Sequence, residues 1–152
     1  MSETTAHEAL ADFLRRATPR LPALGFVFHV ANESAGGAKT SGGIPLDVLK
    51  EKRMLAVPGV WDFMYIGANL SGIGECGAYH FAGVAIELKS TRAYRTKDQG
   101  LSDAQKAWRR HYIQHGWYTA VYPEERWPEV AQLFVAWVGG SVDDFDFGGG
   151  QG

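Results

Sequence analysis

The segment Val84-Ala85-Ile86-Glu87-Leu88-Lys89 constrains this chain more than any other. Its side chains alternate with a period of two, so Val84, Ile86 and Leu88 share one face and Ala85, Glu87 and Lys89 the other. A strand of this kind needs a core against its aliphatic face. On its opposite face it presents an acid and a base together, about 7 Å apart along the strand.

The flanking sequence predicts how that core is supplied. Ala6, Leu10, Phe13, Leu14 and Ala17 recur at helical spacing, which predicts a helix over residues 3–17, with Ser2 as its cap and Pro19 and Pro22 beyond it. Gly25 to Val30 and Val60 to Ile66 read as strands, and Tyr79 to Lys89 as a third, longer one. Residues 34–43 read as a glycine-rich loop, residues 46–55 as a short basic helix, and residues 67–77 as a glycine-rich connection. Ser102 to His115 reads as a helix closed by Gly116, Trp117 to Tyr122 as a fourth strand, and residues 124–138 as a last helix after Pro123. From Gly139 the apolar periodicity ends. The expectation is one domain over residues 1–138 with a mobile Gly/Asp-rich tail at 139–152. The αβββαβ order, with a final helix, predicts an α/β fold: a small mixed sheet flanked by helices.

A chain of 152 residues suits one domain, and 45% hydrophobic with 21% charged residues excludes a disordered or fibrous chain. The single Cys76 excludes an intrachain disulfide framework and a cysteine-rich zinc site. The first residues lack a signal-peptide pattern and no 18-residue apolar run exists, so the expectation is a soluble, cytoplasmic protein without a membrane partner. The formal charge of −2 does not advertise a nucleic-acid binder. Its distribution is more telling. Asp143, Asp144 and Asp146 belong to the tail, whereas residues 89–115 hold seven Lys/Arg against two Asp. Arg92, Arg95 and Lys97 beside Lys89, with Lys106 and Arg109 on the following helix, form a candidate phosphate-binding stretch, a solvated basic loop being the plain alternative.

Asp62 lies in an apolar and aromatic run where an Asp is disfavoured. If its strand pairs with the Glu87 strand, the two carboxylates converge, and two hard oxygen ligands suit Mg²⁺ or Mn²⁺. The competing readings are a surface charge pair for Glu87 and Lys89 and a strand end for Asp62. Gln105 stands three residues after Ser102, which is capping-box spacing. It serves either as that cap or as a group aimed at the metal site, and the two roles look incompatible. Gly72-Ile73-Gly74-Glu75-Cys76-Gly77 spells GxGxxG, but a strand follows it where a dinucleotide site needs a helix. His111 and His115 share a helix face without a third ligand in view.

Four stretches in order resemble the VRR-NUC branch of the PD-(D/E)XK nucleases, in particular its small stand-alone phage type. They are His29-Val30-Ala31-Asn32; Leu49-Lys50 followed by Pro58-Gly59-Val60-Trp61-Asp62-Phe63; Ile86-Glu87-Leu88-Lys89; and Leu101-Ser102 through Gln105 and Trp108 to Gly116-Trp117. The chain departs from the pattern at Trp61, where a Pro is usual, at Glu33-Ser34, where Gly-Gly is usual, and in a longer 67–77 connection. The resemblance implies a restriction-endonuclease-like core and metal-dependent cleavage of DNA, with Holliday junctions among the substrates. It implies Asp62 and Glu87 as ligands of Mg²⁺ or Mn²⁺, with the Leu88 carbonyl as a third. Lys89 would position the water, Gln105 would support the site, and Glu3 of the first helix, with Glu8 as fallback, would complete the acidic set. It further implies a homodimer. Two other classes stay open: a non-cutting DNA-binding or assembly module, and a small-molecule-binding α+β protein.

Overall fold

The computed structural model describes residues 3–30, 58–70 and 81–148, with side chains from residue 5 onward. The predicted basic helix at 46–55, the GxGxxG stretch, Ala31-Asn32 and Leu49-Lys50 lie outside the described residues. Helix α1 spans Glu3–Ala17, and a 3-10 turn follows at Pro22–Phe26. Strands β1 (Phe28–His29), β2 (Phe63–Ile66) and β3 (Gly83–Lys89) come next. Helices α2 (Thr91–Tyr94) and α3 (Asp103–Gln114), strand β4 (Trp117–Pro123) and helix α4 (Trp127–Trp137) complete the order, with short 3-10 turns at Glu124–Arg126 and Val142–Asp144.

The sheet runs β1-β2-β3-β4. β1 pairs antiparallel with β2 and β2 antiparallel with β3, while β3 and β4 are parallel. The predicted mixed sheet is thus present. The parallel pair requires a crossover, and α2 and α3 supply it. The alternation of β3 sorts two cores. Val84, Ile86 and Leu88 pack with Phe63, with Ala6, Leu10 and Phe13 of α1, and with Val130, Phe134 and Val135 of α4. On the opposite face Ala85 joins Trp61, Met64, Val121 and Tyr112, the last from α3. Each large aliphatic or aromatic side chain buried in this way contributes about 1.5–3 kcal/mol relative to exposure.

Several boundaries move. The predicted strand at 25–30 shrinks to Phe28–His29, because the segment from Pro22 first makes a 3-10 turn, with Pro near its start and the Val27 amide closing onto the Leu24 carbonyl. The third strand begins at Gly83, and β2 begins at Phe63, so Asp62 precedes it. Residues 91–94, expected as loop, form α2, because the Ser90 side chain accepts from the Ala93 amide and caps the turn. Described residues within the segment expected as a tail make packing contacts. Phe145 and Phe147 lie against Phe13, the latter stacked at 4.9 Å between ring centroids. Arg20 donates to the Asp144 carbonyl.

Candidate metal centre at the sheet end

The β2–β3 register pairs Phe63 with Ile86, which sets Asp62 opposite Glu87 one step further on. Opposite residues of an antiparallel pair point to the same face, so the carboxylates converge. Both are buried, Asp62 at 6% and Glu87 at 3% exposure. The Asp62 amide donates to Glu87 Oε2 at 3.1 Å, and Asp62 Oδ2 accepts from the Leu88 amide at 2.9 Å. Side chains therefore hold the two chain segments together where the backbone ladder has ended. A strand residue's own N–H and C=O face the same edge, so the Leu88 carbonyl shares the edge its amide presents to Asp62.

Lys89, on the same face as Glu87, places Nζ 3.2 Å from Glu87 Oε1. Gln105 joins the two. Its Nε2 donates to Glu87 Oε1 at 2.5 Å, and its Oε1 accepts from Lys89 Nζ at 2.9 Å. The same Oε1 accepts from the Ser102 amide at 2.9 Å, while the Gln105 amide donates to Ser102 Oγ at 3.1 Å. The two roles of Gln105 thus coincide, correcting the expectation that one would exclude the other. A carbonyl oxygen has two lone pairs, so it serves the cap and the lysine at once, and the amide nitrogen remains for the carboxylate.

Trp61 explains how Asp62 is fixed without the proline of the motif. It is fully buried, its indole N–H donates to the Gln105 carbonyl at 3.1 Å, and its backbone N–H donates to the Tyr112 hydroxyl at 3.3 Å. A proline could make neither bond. Just before it, Gly59 has φ +85°, and a Cβ there would lie 2.6 Å from the Ala104 backbone. The Trp108 indole donates to the Pro58 carbonyl. Residues 58–61 are therefore stapled along α3, and Asp62 follows from them.

The electrostatics suit a cation. Burial first, then the neighbouring Asp62, pushes the Glu87 carboxyl well above the usual carboxylate range, and Lys89 pulls the other way. Two buried carboxylates with one ammonium carry an acidic excess that a divalent ion would offset. Two carboxylates and a backbone carbonyl are hard oxygen donors of the kind Mg²⁺ and Mn²⁺ take. The residues fit the ion.

Two histidines adjoin this set. His7, half-buried on α1, lies with Nε2 3.1 Å from Asp62 Oδ2. His29 of β1 lies opposite Phe63 in the register, with its ring centroid 4.7 Å from Phe63 and 5.2 Å from His7. The sequence assigns neither histidine a ligand role, His29 entering only within the His29-Val30-Ala31-Asn32 stretch. The signal for His7 was its place beside the buried Ala6 and Leu10 on α1. For His29 it was a polar residue in a β-rich run.

Glu3 stands in the first turn of α1 with its side chain outside the described set, and Glu8 is exposed. Arg92, Arg95 and Lys97 are exposed on and after α2, next to Lys89 in the chain. Lys106 pairs with Asp98 at 2.8 Å, and Arg109 is half-buried on α3. The His111 ring of α3 and the ring of His115, which caps the helix end, lie 4.4 Å apart, outside the His7–His29–Asp62 group. No helix among the described residues is long and apolar enough to cross a membrane. No protein-family model, no curated protein and no solved structure matches the chain at a significant level.

Proposed function

We propose that this chain is a divalent-metal-dependent DNA endonuclease, hydrolysing phosphodiester bonds on a PD-(D/E)XK-type core with Mg²⁺ or Mn²⁺ as cofactor. The observation that carries the reading is the convergence of Asp62, Glu87 and Lys89 at one sheet end, with Gln105 bonded to both Glu87 and Lys89. Asp62, Glu87 and the Leu88 carbonyl would hold the ion. The ion would supply polarisation of the scissile phosphate and acidification of a bound water. Lys89 would orient the attacking water through its ammonium and offset the negative charge that gathers on the phosphate. Gln105 keeps that ammonium at the strand end by accepting from it. Glu3 would add an acid from α1.

Arg92, Arg95 and Lys97 would take the DNA backbone beside the centre, with Lys106 and Arg109 extending the contact along α3, so binding would weaken as salt rises. The family resemblance extends the proposal to a homodimer, whose two sites would address the two strands of a branched duplex such as a Holliday junction. The test incubates branched and linear DNA with Mg²⁺ and compares wild type with Asp62→Ala and Lys89→Ala. Products from wild type alone are expected, and equal cleavage by all three would overturn the assignment.

A further inference from the structure

We infer that the nitrogen side of this centre is a second metal site, formed by His7, His29 and Asp62, that takes a borderline transition-metal ion such as Co²⁺ or Zn²⁺ in preference to Mg²⁺. It stands on the geometry of three side chains and does not depend on the nuclease reading, with which it shares Asp62.

One ligand atom from each of the three residues lies within 4.8 Å of the others. An ion about 2.1 Å from each ligand, tetrahedral or octahedral, sets neighbouring donors about 3.0–3.4 Å apart. The His7–Asp62 pair already stands at 3.1 Å, held now by a hydrogen bond whose proton the ion would replace. Closing the set takes a shift of His29, whose ring is exposed and lies against His7 and Phe63.

The three donors come from independently anchored segments. His7 lies beside Ala6 and Leu10, both buried in the main core. His29 is opposite Phe63 in the β1–β2 register. Asp62 is fixed by the Leu88 amide and by the Trp61 anchor before it. Two imidazoles and one carboxylate form a mixed N/N/O set. Imidazole suits borderline ions such as Zn²⁺ and Co²⁺, whereas Mg²⁺ favours an all-oxygen shell and keeps its waters. Three protein ligands with an exposed side leave positions for water or a substrate oxygen, which is the pattern of catalytic metal sites rather than structural ones. Asp62 has two oxygens and would bridge this ion and the one held with Glu87.

The probe is Co²⁺, added to chelator-treated full-length protein and followed by its visible absorption and by calorimetry, with Mg²⁺ titrated in parallel. The variants are His7→Ala, His29→Ala, His29→Phe and, as control, His111→Ala, each checked for a cooperative thermal transition. His29→Phe keeps a ring against Phe63 while removing the nitrogens. Wild type is expected to bind Co²⁺ at least tenfold more tightly than Mg²⁺. The His7 and His29 variants are expected to lose at least tenfold in Co²⁺ affinity, and His111→Ala, which lies outside the group, less than threefold. Absent Co²⁺ binding, wild-type affinity in the His7 and His29 variants, or an equal loss in His111→Ala would overturn the site. Because no DNA enters the experiment, its failure is distinct from failure of the cleavage assay.

Discussion

At the scale of single residues, Gln105 decides how far the site is a by-product of helix capping. Ser102 takes part in the cap alone, whereas Gln105 takes part in the cap and in the contacts to Glu87 and Lys89. Ser102→Ala is therefore expected to cost about 1 kcal/mol, the usual value of a lost N-cap. Gln105→Ala is expected to cost about 1–3 kcal/mol more, because it also strips a partner from the buried Glu87 and from the half-buried Lys89. Urea unfolding of the two variants measures the difference, and equal losses would reduce Gln105 to a cap. The strand alternation made Glu87 and Lys89 legible, and an aspartate in an apolar run made Asp62 legible. Neither His7 nor His29 was legible as a partner, since a helix position and a strand position 22 residues apart meet only through the fold.

At the scale of elements, the segment before β2 sets the position of Asp62. Its attachment to α3 rests on Trp61 and Trp108 and on the close approach at Gly59. Trp61→Phe keeps most of the buried ring and removes the indole donor, leaving the Gln105 carbonyl without that partner. A loss of about 1–2 kcal/mol is expected in chemical denaturation. Unchanged stability would mean that the indole bond does not anchor the segment. The elements with long periodic patterns, α1, β3 and α3, were legible to within a few residues. Those resting on one or two local bonds were not. The 3-10 turn at Pro22–Phe26 replaced most of an expected strand, and α2 depends on a single Ser90 cap. Trp61 was visible in the sequence, but its anchoring role was not, because its donors find their acceptors on α3, over forty residues away.

At the scale of the whole molecule, the mixed sheet between two helical layers followed from the order of the elements, since a parallel β3–β4 pair needs the intervening helices. Glycine and aspartate dominate the residues after Gly139, which hid the contact that Phe145 and Phe147 make with Phe13. Deleting residues 141–152 is expected to lower stability by about 2–4 kcal/mol, from two half-buried aromatic rings. An unchanged melting temperature would make the packed segment dispensable. The charge distribution belongs to this scale as well. The acidic residues near the end offset a basic stretch from Lys89 to Arg110, so a net charge of −2 coexists with a locally basic stretch of chain. The central claim, that the sheet end is a phosphodiester-cleaving centre, is tested most directly by single-turnover cleavage of a four-way DNA junction in Mg²⁺ at saturating protein, with binding measured separately in Ca²⁺. The expected result is a rate at least about 100-fold lower for Lys89→Ala than for wild type, the loss typical of removing a group that stabilises transition-state charge, with junction affinity unchanged. Equal rates for the two proteins, or no cleavage by wild type, would contradict it.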